Sequence, residues 1–433
     1  MKKILSIVLV GILVLSGLGA GASYVQKSSM KQSVIFDEYD MVIIAPNKFS
    51  VNIQPLIDHK NSVGIQTFLK TTEDIYDEYQ GRDQAEQIKY FIYDSVKNLG
   101  IKYVLLIGDI DLLPIRTSYV KYGPIEDVIS DLYYSDVFDL NGSFCSWDSN
   151  ENDLFGECNY IGNHGYEIDN VDLYPDVGVG RIPCSYIDEL ENVIIKIITY
   201  ETETYGCSWF KKIILMGGDT FPQFTQVVEG EWELDKYGEI MQKHGFEQIK
   251  LYTSTRTFKP SIVNREITDG AGFVSFSGHG KPFGIGTSSP NKYRSINYLT
   301  PYILGMKNDD RLPIFFLEAC ETAGLDYKIL SIMKFPCLAW SLVKKQSGGG
   351  IAAVGATRSG PMYFNPNNNG EPYAGGYALH MFFYEAYEPG IALSDLMINA
   401  CCSYLDNYWK DPIILENIIL IGDPSLKIGG YQN

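Results

Sequence analysis

Three polar side chains stand at the ends of apolar runs. Asp219 follows residues 211–216 and Gly217-Gly218, His279 follows GFVSFS and Gly278, and Cys320 follows LPIFFLEA. A thiol, an imidazole and a carboxylate are the parts of a nucleophile, its base and an orienting acid. Cys320 needs to become a thiolate to attack, and an imidazolium at His279 would lower the thiol pKa. A glycine on each side of His279 lets the backbone bend sharply there. Asp219 is the candidate partner for the far ring nitrogen, where it would fix the tautomer. The backbone N–H groups of Gly280 and Cys320 are the expected oxyanion donors. Of the other histidines, His59 and His244 read as surface residues near helix ends and His380 lies inside a helical pattern. His164, in Asn-His-Gly within a loop region, is the rival base.

Residues so far apart in sequence meet only if the fold brings strand ends together. Open parallel sheets do this, because ligands bind in a crevice at the C-terminal ends of the strands. Residues 34–47 read as a strand, 51–60 and 83–99 as helices, and 101–107 (IKYVLLI) as a strand closed by Gly108-Asp109. This β-α-α-β rhythm implies a parallel sheet. Residues 109–185 are rich in Asp, Asn, Gly and Tyr and read as long loops, and 186–205 return to helix. A second rhythm has strands at 211–216, 246–252, 272–277, 312–319, 350–355 and 415–421. Helices are expected between them at 230–244, 260–270, 334–345, 374–388 and 391–408. The expected fold class is α/β, with an N-terminal subdomain over 34–205 and a catalytic subdomain over 206–430.

The N-terminus has the pattern of a targeting segment. Lys2 and Lys3 precede an apolar stretch at 4–15 and the small residues Ala20-Gly21-Ala22, which together read as a signal peptide over residues 1–22. The alternative is an uncleaved anchor, the one case in which a membrane partner is expected. Either way the body of the protein is expected outside the cytoplasm, secreted or at the extracellular surface. The 35 basic and 53 acidic residues leave a formal charge of −18, which repels phosphates and excludes nonspecific binding to nucleic acid or anionic lipid. Eight cysteines in 433 residues are too few for a disulfide scaffold.

The sequence resembles a family. Phe276-Ser277-Gly278-His279-Gly280 and Phe315-Phe316-Leu317-Glu318-Ala319-Cys320-Glu321 are similar to the His and Cys motifs of gingipain-type cysteine peptidases, in the wider caspase-like group. Four further segments match in order. They are Val104-Leu105-Leu106-Ile107-Gly108-Asp109 with Leu113-Pro114, Asp131-Leu132-Tyr133-Tyr134, residues 175–183 (PDVGVGRIP), and Ile421-Gly422-Asp423-Pro424-Ser425-Leu426. The resemblance implies a caspase-like α/β fold of two adjacent subdomains, each with a mostly parallel sheet flanked by helices and with the catalytic pair in the second. It maps the family's acidic third residue onto Asp219. It offers Glu231 or Glu233 as the acid lining a pocket for a basic side chain.

An oxygen-rich loop carries Asp148, Asn150, Asn152, Asp153 and Glu157, with Asp169, Asp172 and Asp176 nearby. Such a loop suits Ca²⁺, and the resemblance adds a structural Ca²⁺ to the expectation, although the register is not that of an EF-hand. Cys145 and Cys158 flank this loop and could pair outside the cell; Cys401 and Cys402 read as packing residues. No Cys/His spacing suits zinc, and no cofactor is required for the chemistry. The expected function is a cysteine endopeptidase acting on protein or peptide substrates through a Cys-His thioester. A transpeptidase that passes the acyl group to an amine, and a non-catalytic surface protein of the same fold, are the alternatives. A serine hydrolase is disfavoured, because no G-x-S-x-G elbow is present.

Overall fold

The computed structural model describes residues 38–161, 164–222, 227–290, 295–329, 333–365 and 370–432. The segment read as a signal peptide lies outside them, as do the first residues of the 34–47 strand and the side chain of His164.

The first half of the chain runs β1 (Met41–Ala45), α1 (Ser50–Ser62), β2 (Thr67–Thr71), α2 (Thr72–Glu78), α3 (Gln84–Leu99) and β3 (Tyr103–Ile107). After short strands and turns come β4 (Gly178–Ile182) and α4 (Ile187–Glu203). The second half runs β5 (Lys212–Gly217), α5 (Glu229–Lys243), β6 (Glu247–Tyr252), α6 (Pro260–Thr268) and β7 (Phe273–Ser277). A small antiparallel sheet follows, β8 (His279–Lys281), β9 (Gly284–Ser288) and β10 (Ser295–Leu299). Then come β11 (Ile314–Glu318), α7 (Leu338–Val343), β12 (Ala352–Ala356), the hairpin β13 (Met362–Asn365) and β14 (Glu371–Gly375), α8 (Gly376–Glu385), α9 (Leu393–Asn407) and β15 (Ile418–Ile421).

Among the described residues one sheet of ten strands carries both halves, in the order β6-β5-β7-β11-β12-β15-β4-β3-β1-β2. Strands β1, β7, β11 and β12 are buried at every position. Helices cover both faces of such a sheet, so its strands read as continuous apolar runs rather than alternating ones. Helix α3 has a matching pair of ends. Asp83 accepts the N–H of Glu86 at 2.9 Å, and Gly100, at φ 71°, closes the helix onto Val96.

The halves meet through β15, which is antiparallel to β12 and parallel to β4. The expected boundary near Gly206 falls between α4 and β5, but the two expected sheets are fused edge to edge. Residues 37–433 pack as one compact unit. Because β15 reverses direction against β12, the strands of the first half run opposite to β7, β11 and β12. Their Gly-Asp ends therefore lie at the other edge of the sheet from Cys320 and His279.

The four further motif segments converge on this seam. A Cβ at Gly180 would lie 2.5 Å from the carbonyl oxygen of Gly422, so only glycine admits the crossing strand end. Arg181 is fully buried. It gives two 2.7 Å bonds to Asp131 and a 2.9 Å bond to the Leu113 carbonyl. Lys60, also fully buried, bridges Asp423 at 2.6 Å and Glu201 at 2.8 Å. Burial alone would discharge Lys60, but the two carboxylates hold its pKa above the ordinary value. His59 joins the same cluster, its Nε2 2.8 Å from Glu201. It is buried at 9% exposure, contrary to the surface position expected.

Three further expectations change. The 109–185 region contains the central strand β4 as well as loops. Its glycines, at Gly178 and Gly180, leave the apolar run too weak to read. All eight cysteines are free thiols, so Cys145 and Cys158 do not pair. Each is buried, and burial pushes each thiol up to about 12. The acidic loop is spent on internal bonds. Asp148 holds Arg82 and accepts the N–H groups of Asn152 and Asp153 at 3.0 Å each, while Glu157 accepts the side-chain amides of Asn150 at 3.0 Å and Asn152 at 2.7 Å. Among the described residues no three His, Cys, Asp or Glu side chains converge as metal ligands. A guanidinium already neutralises the most buried carboxylate, so these five residues do not fit Ca²⁺ in this arrangement.

Candidate active site

Strands β7 and β11 are parallel neighbours, and Ser277 lies opposite Glu318 in their register. His279 is two residues beyond the first and Cys320 two beyond the second, so both leave the sheet at one level. Gly278 ties the exits together, donating its N–H to the Glu318 carbonyl at 3.2 Å. Past it, the backbone of Gly280 rests on the Cys320 peptide. A Cβ there would overlap the Cys320 carbonyl oxygen and lie 2.9 Å from the Ala319 carbonyl carbon. Lys281 and Glu321 add an exposed ion pair at 3.6 Å between the same two loops, worth at most about 1 kcal/mol. His279 and Cys320 line one cavity. His279 is exposed and Cys320 is half-buried.

The His279 ring is oriented differently from the expectation. Its Nε2 meets the backbone carbonyl of Thr220 at 3.1 Å. A carbonyl only accepts, so Nε2 carries the proton and Nδ1 is the basic nitrogen. Asp219 is at the same sheet edge and buried at 6% exposure. Its backbone bridges Ser288 of β9 in both directions, at 2.9 and 3.2 Å. That bridge draws the chain along β9 and presents the next carbonyl, not the Asp219 carboxylate, to the ring. Phe221 stacks edge-on against His279 with centroids 5.3 Å apart, and Phe364 of β13 packs on Phe221 in turn at 5.3 Å.

The expected oxyanion donors, the backbone N–H groups of Gly280 and Cys320, sit on the two loops that touch. The two-residue turn Pro282-Phe283 makes Lys281 and Gly284 the hydrogen-bonded pair. Gly280 and Ile285 are then a non-bonded pair, and the Gly280 N–H points away from β9. At the nucleophile, the N–H groups of Ala319 and Glu321 are spent on the carbonyls of Leu317 and Arg358. The N–H of Cys320 between them has no partner among the described residues.

Neither candidate pocket acid lines the cavity. Glu231 accepts from the Ser254 N–H at 2.9 Å and from the Thr253 hydroxyl at 3.2 Å. Glu233 is fully buried and accepts from the Ser277 hydroxyl at 2.7 Å. Burial first, then the neighbouring Glu318 carboxylate, holds the Glu233 carboxyl well above the usual range. The cavity's acid is Glu318, in LPIFFLEAC itself. A carboxylate inside a fully apolar central strand is costly unless partnered, and that was the signal for it in the sequence. Its Oε2 accepts from Tyr237 at 3.1 Å and from His380 Nδ1 at 3.0 Å. His380, in a helix as expected, is fully buried, and burial lowers its pKa despite Glu318. It therefore donates from Nδ1 and accepts the Ser275 hydroxyl at Nε2, 2.7 Å away.

The model for peptidase family C25 matches residues 36–429. The chain belongs to peptidase family C25. Among curated proteins it is 22% identical to gingipain R2 of Porphyromonas gingivalis over 405 residues, 90% of this chain and 46% of the relative. It is 21% identical to Lys-gingipain W83 of the same organism over 324 residues, 73% of this chain and 15% of the relative. This C25 chain thus spans less than half the length of these relatives. Its fold matches the complex of the RgpB pro- and mature domains of P. gingivalis at a TM-score of 0.66, with 21% identity, covering 90% of this chain and 79% of that one. The caspase-like α/β architecture expected from the motifs is the fold of this C25 member.

Proposed function

We propose that the protein is a cysteine endopeptidase that cleaves after a basic residue. The observation that carries this reading is the contact between Gly280 and the Cys320 peptide, which holds imidazole and thiol at one cavity. His279 Nδ1 takes the Cys320 proton, and the thiolate attacks the scissile carbonyl. The oxyanion that forms is met by the N–H groups of Gly280 and Cys320. The carbon–nitrogen bond then breaks, and His279 gives its proton to the leaving amine. A water molecule, deprotonated by Nδ1, attacks the thioester; the carbon–sulfur bond breaks, and the acid and the thiolate are released. The Thr220 carbonyl keeps Nε2 protonated throughout and steadies the imidazolium.

The basic preference rests on the acid in the cavity and on the relatives Lys-gingipain and the Arg-specific cysteine proteinase gingipain R. Secretion or display at the cell surface is proposed from the Lys-apolar-small N-terminal pattern, and N-terminal sequencing of the mature protein tests it. For the chemistry the test is Cys320→Ala. Peptide cleavage is expected to vanish, together with labelling by an electrophilic thiol probe mapped to residue 320, since Cys207 and Cys402 are also partly exposed. Full cleavage by that variant would remove the nucleophile. An added amine that captures the acyl group faster than water does would favour transfer over hydrolysis.

A further inference from the structure

Thr322 follows the nucleophile by two residues and is fully buried. Its hydroxyl donates to the carbonyl of Ala319, the residue before Cys320, at 3.2 Å. The hydroxyl sits against β12, where an added Cβ at Gly355 would stand 2.7 Å from its oxygen. The missing side chain at Gly355 gives that oxygen its room. The Thr322 carbonyl accepts the Ala339 N–H of α7 at 3.0 Å, so the residue is held from a second side. The peptide after Cys320 is held as well. Glu321 donates its N–H to the Arg358 carbonyl at 3.2 Å, and does so at a left-handed φ of 58°. A residue with a Cβ keeps that conformation only where its surroundings impose it. Ala323 then donates to Ala356 at 2.8 Å and Gly324 to Glu321 at 3.1 Å. The N–H of Cys320 is left over from this set.

Resting on the peptidase reading above, we infer that Thr322 is a positioning residue for the oxyanion. Its hydroxyl sets the plane of the Ala319–Cys320 peptide and so aims the Cys320 N–H. In a trans peptide the carbonyl and the following N–H point in opposite directions. The Ala319 carbonyl is drawn to the Thr322 hydroxyl and Gly355, so the Cys320 N–H points away from them and out of the loop. An oxyanion donor works by being fixed in direction before charge develops. Without the hydroxyl the plane is free to rotate, and that direction is lost. Thr322 touches no reacting atom, so its effect is confined to the steps in which a carbonyl oxygen gains charge.

The test compares two reactions of Cys320 in the wild type, Thr322→Val and Thr322→Ser. Peptide cleavage passes through an oxyanion. Alkylation by iodoacetamide, mapped to residue 320, forms a sulfur–carbon bond and releases iodide with no oxyanion. Thr322→Val keeps the shape and loses the hydroxyl. It is expected to lower kcat by about tenfold or more, short of the roughly hundredfold to thousandfold loss that follows outright removal of a donor. KM and the alkylation rate should stay within about twofold, because a donor that meets only the developing charge does not alter ground-state binding. Thr322→Ser keeps the hydroxyl and should stay within about threefold of the wild type in kcat. Wild-type kcat in Thr322→Val, or a serine variant as slow as the valine one, would overturn the role of the hydroxyl. Equal losses in cleavage and alkylation would overturn it too, since they would show a displaced sulfur and not a misdirected donor. Should Thr322→Val fail to fold, Thr322→Ala set against Thr322→Ser makes the same comparison across a single oxygen. A wild-type protein alkylated at Cys320 that cleaves no peptide would instead remove the peptidase reading, and this inference with it.

Discussion

Gly280 packs against Cys320 so closely that no side chain fits between them. The histidine loop and the cysteine loop are therefore in direct backbone contact. This contact fixes the spacing of the two loops that carry the imidazole and the thiol. Gly280 does not have a positive φ, so its requirement is for space and not for an unusual conformation.

Gly280→Ala is expected to separate the loops and lower kcat/KM by about a hundredfold, the scale of loss from roughly 1 Å of misplacement. The sheet strands remain intact, so the melting temperature should fall only slightly. Steady-state kinetics alongside a thermal melt checks this, and wild-type rates would mean that the loops do not need that contact.

Because a backbone carbonyl holds Nε2 of His279, side-chain changes at Thr220 and Asp219 are expected to cost little. Thr220→Ala should retain activity within about threefold and Asp219→Asn within about tenfold. His279→Ala should lose at least about a thousandfold through loss of general-base catalysis. A loss at Asp219→Asn as large as that at His279→Ala would restore the carboxylate as the orienting group.

Glu233 gives a pH dependence whose sign is fixed. Burial and Glu318 raise its pKa in the fold above that in the unfolded chain, so between those two values the folded state binds more protons. The wild type thus loses stability as the pH rises above about 4.3, the unfolded carboxyl value, toward the folded value. Glu233→Gln keeps an acceptor for Ser277 and supplies an N–H in place of the proton. It is expected to match the wild type near pH 4 and exceed it in stability at pH 8. Urea unfolding at the two pH values measures this, and a constant difference would show that Glu233 is not protonated in the fold.

Removing Asp131 strands the buried Arg181 at the seam between the two halves. Asp131→Ala is expected to destabilise the protein by about 3–5 kcal/mol, the usual cost of leaving a buried charge without its partner. A change below about 1 kcal/mol in urea unfolding would mean that the backbone carbonyls of Gly108, Leu113 and Pro114, which also accept from Arg181, suffice.

The sequence alone determined the strands whose two faces are both covered, because full burial leaves uninterrupted apolar runs such as 101–107 and 312–319. It also determined which polar residues end them, and so Cys320 and His279. Where a glycine is required by close approach, as at Gly178 and Gly180 in β4, the apolar run is diluted and the strand is invisible to periodicity. The tertiary structure decided which acid does what. Glu231, Glu233 and Glu318 are chemically alike in sequence, yet Thr253 and Ser254 occupy the first and burial neutralises the second. Only the third lines the cavity beside Cys320. In the same way Asp219 reaches the right edge of the sheet, but the bridge to Ser288 turns a peptide carbonyl toward the imidazole. Spacing along the chain reports which residues are buried. Which partner a buried polar group meets depends on packing between segments hundreds of residues apart, and no local pattern encodes it.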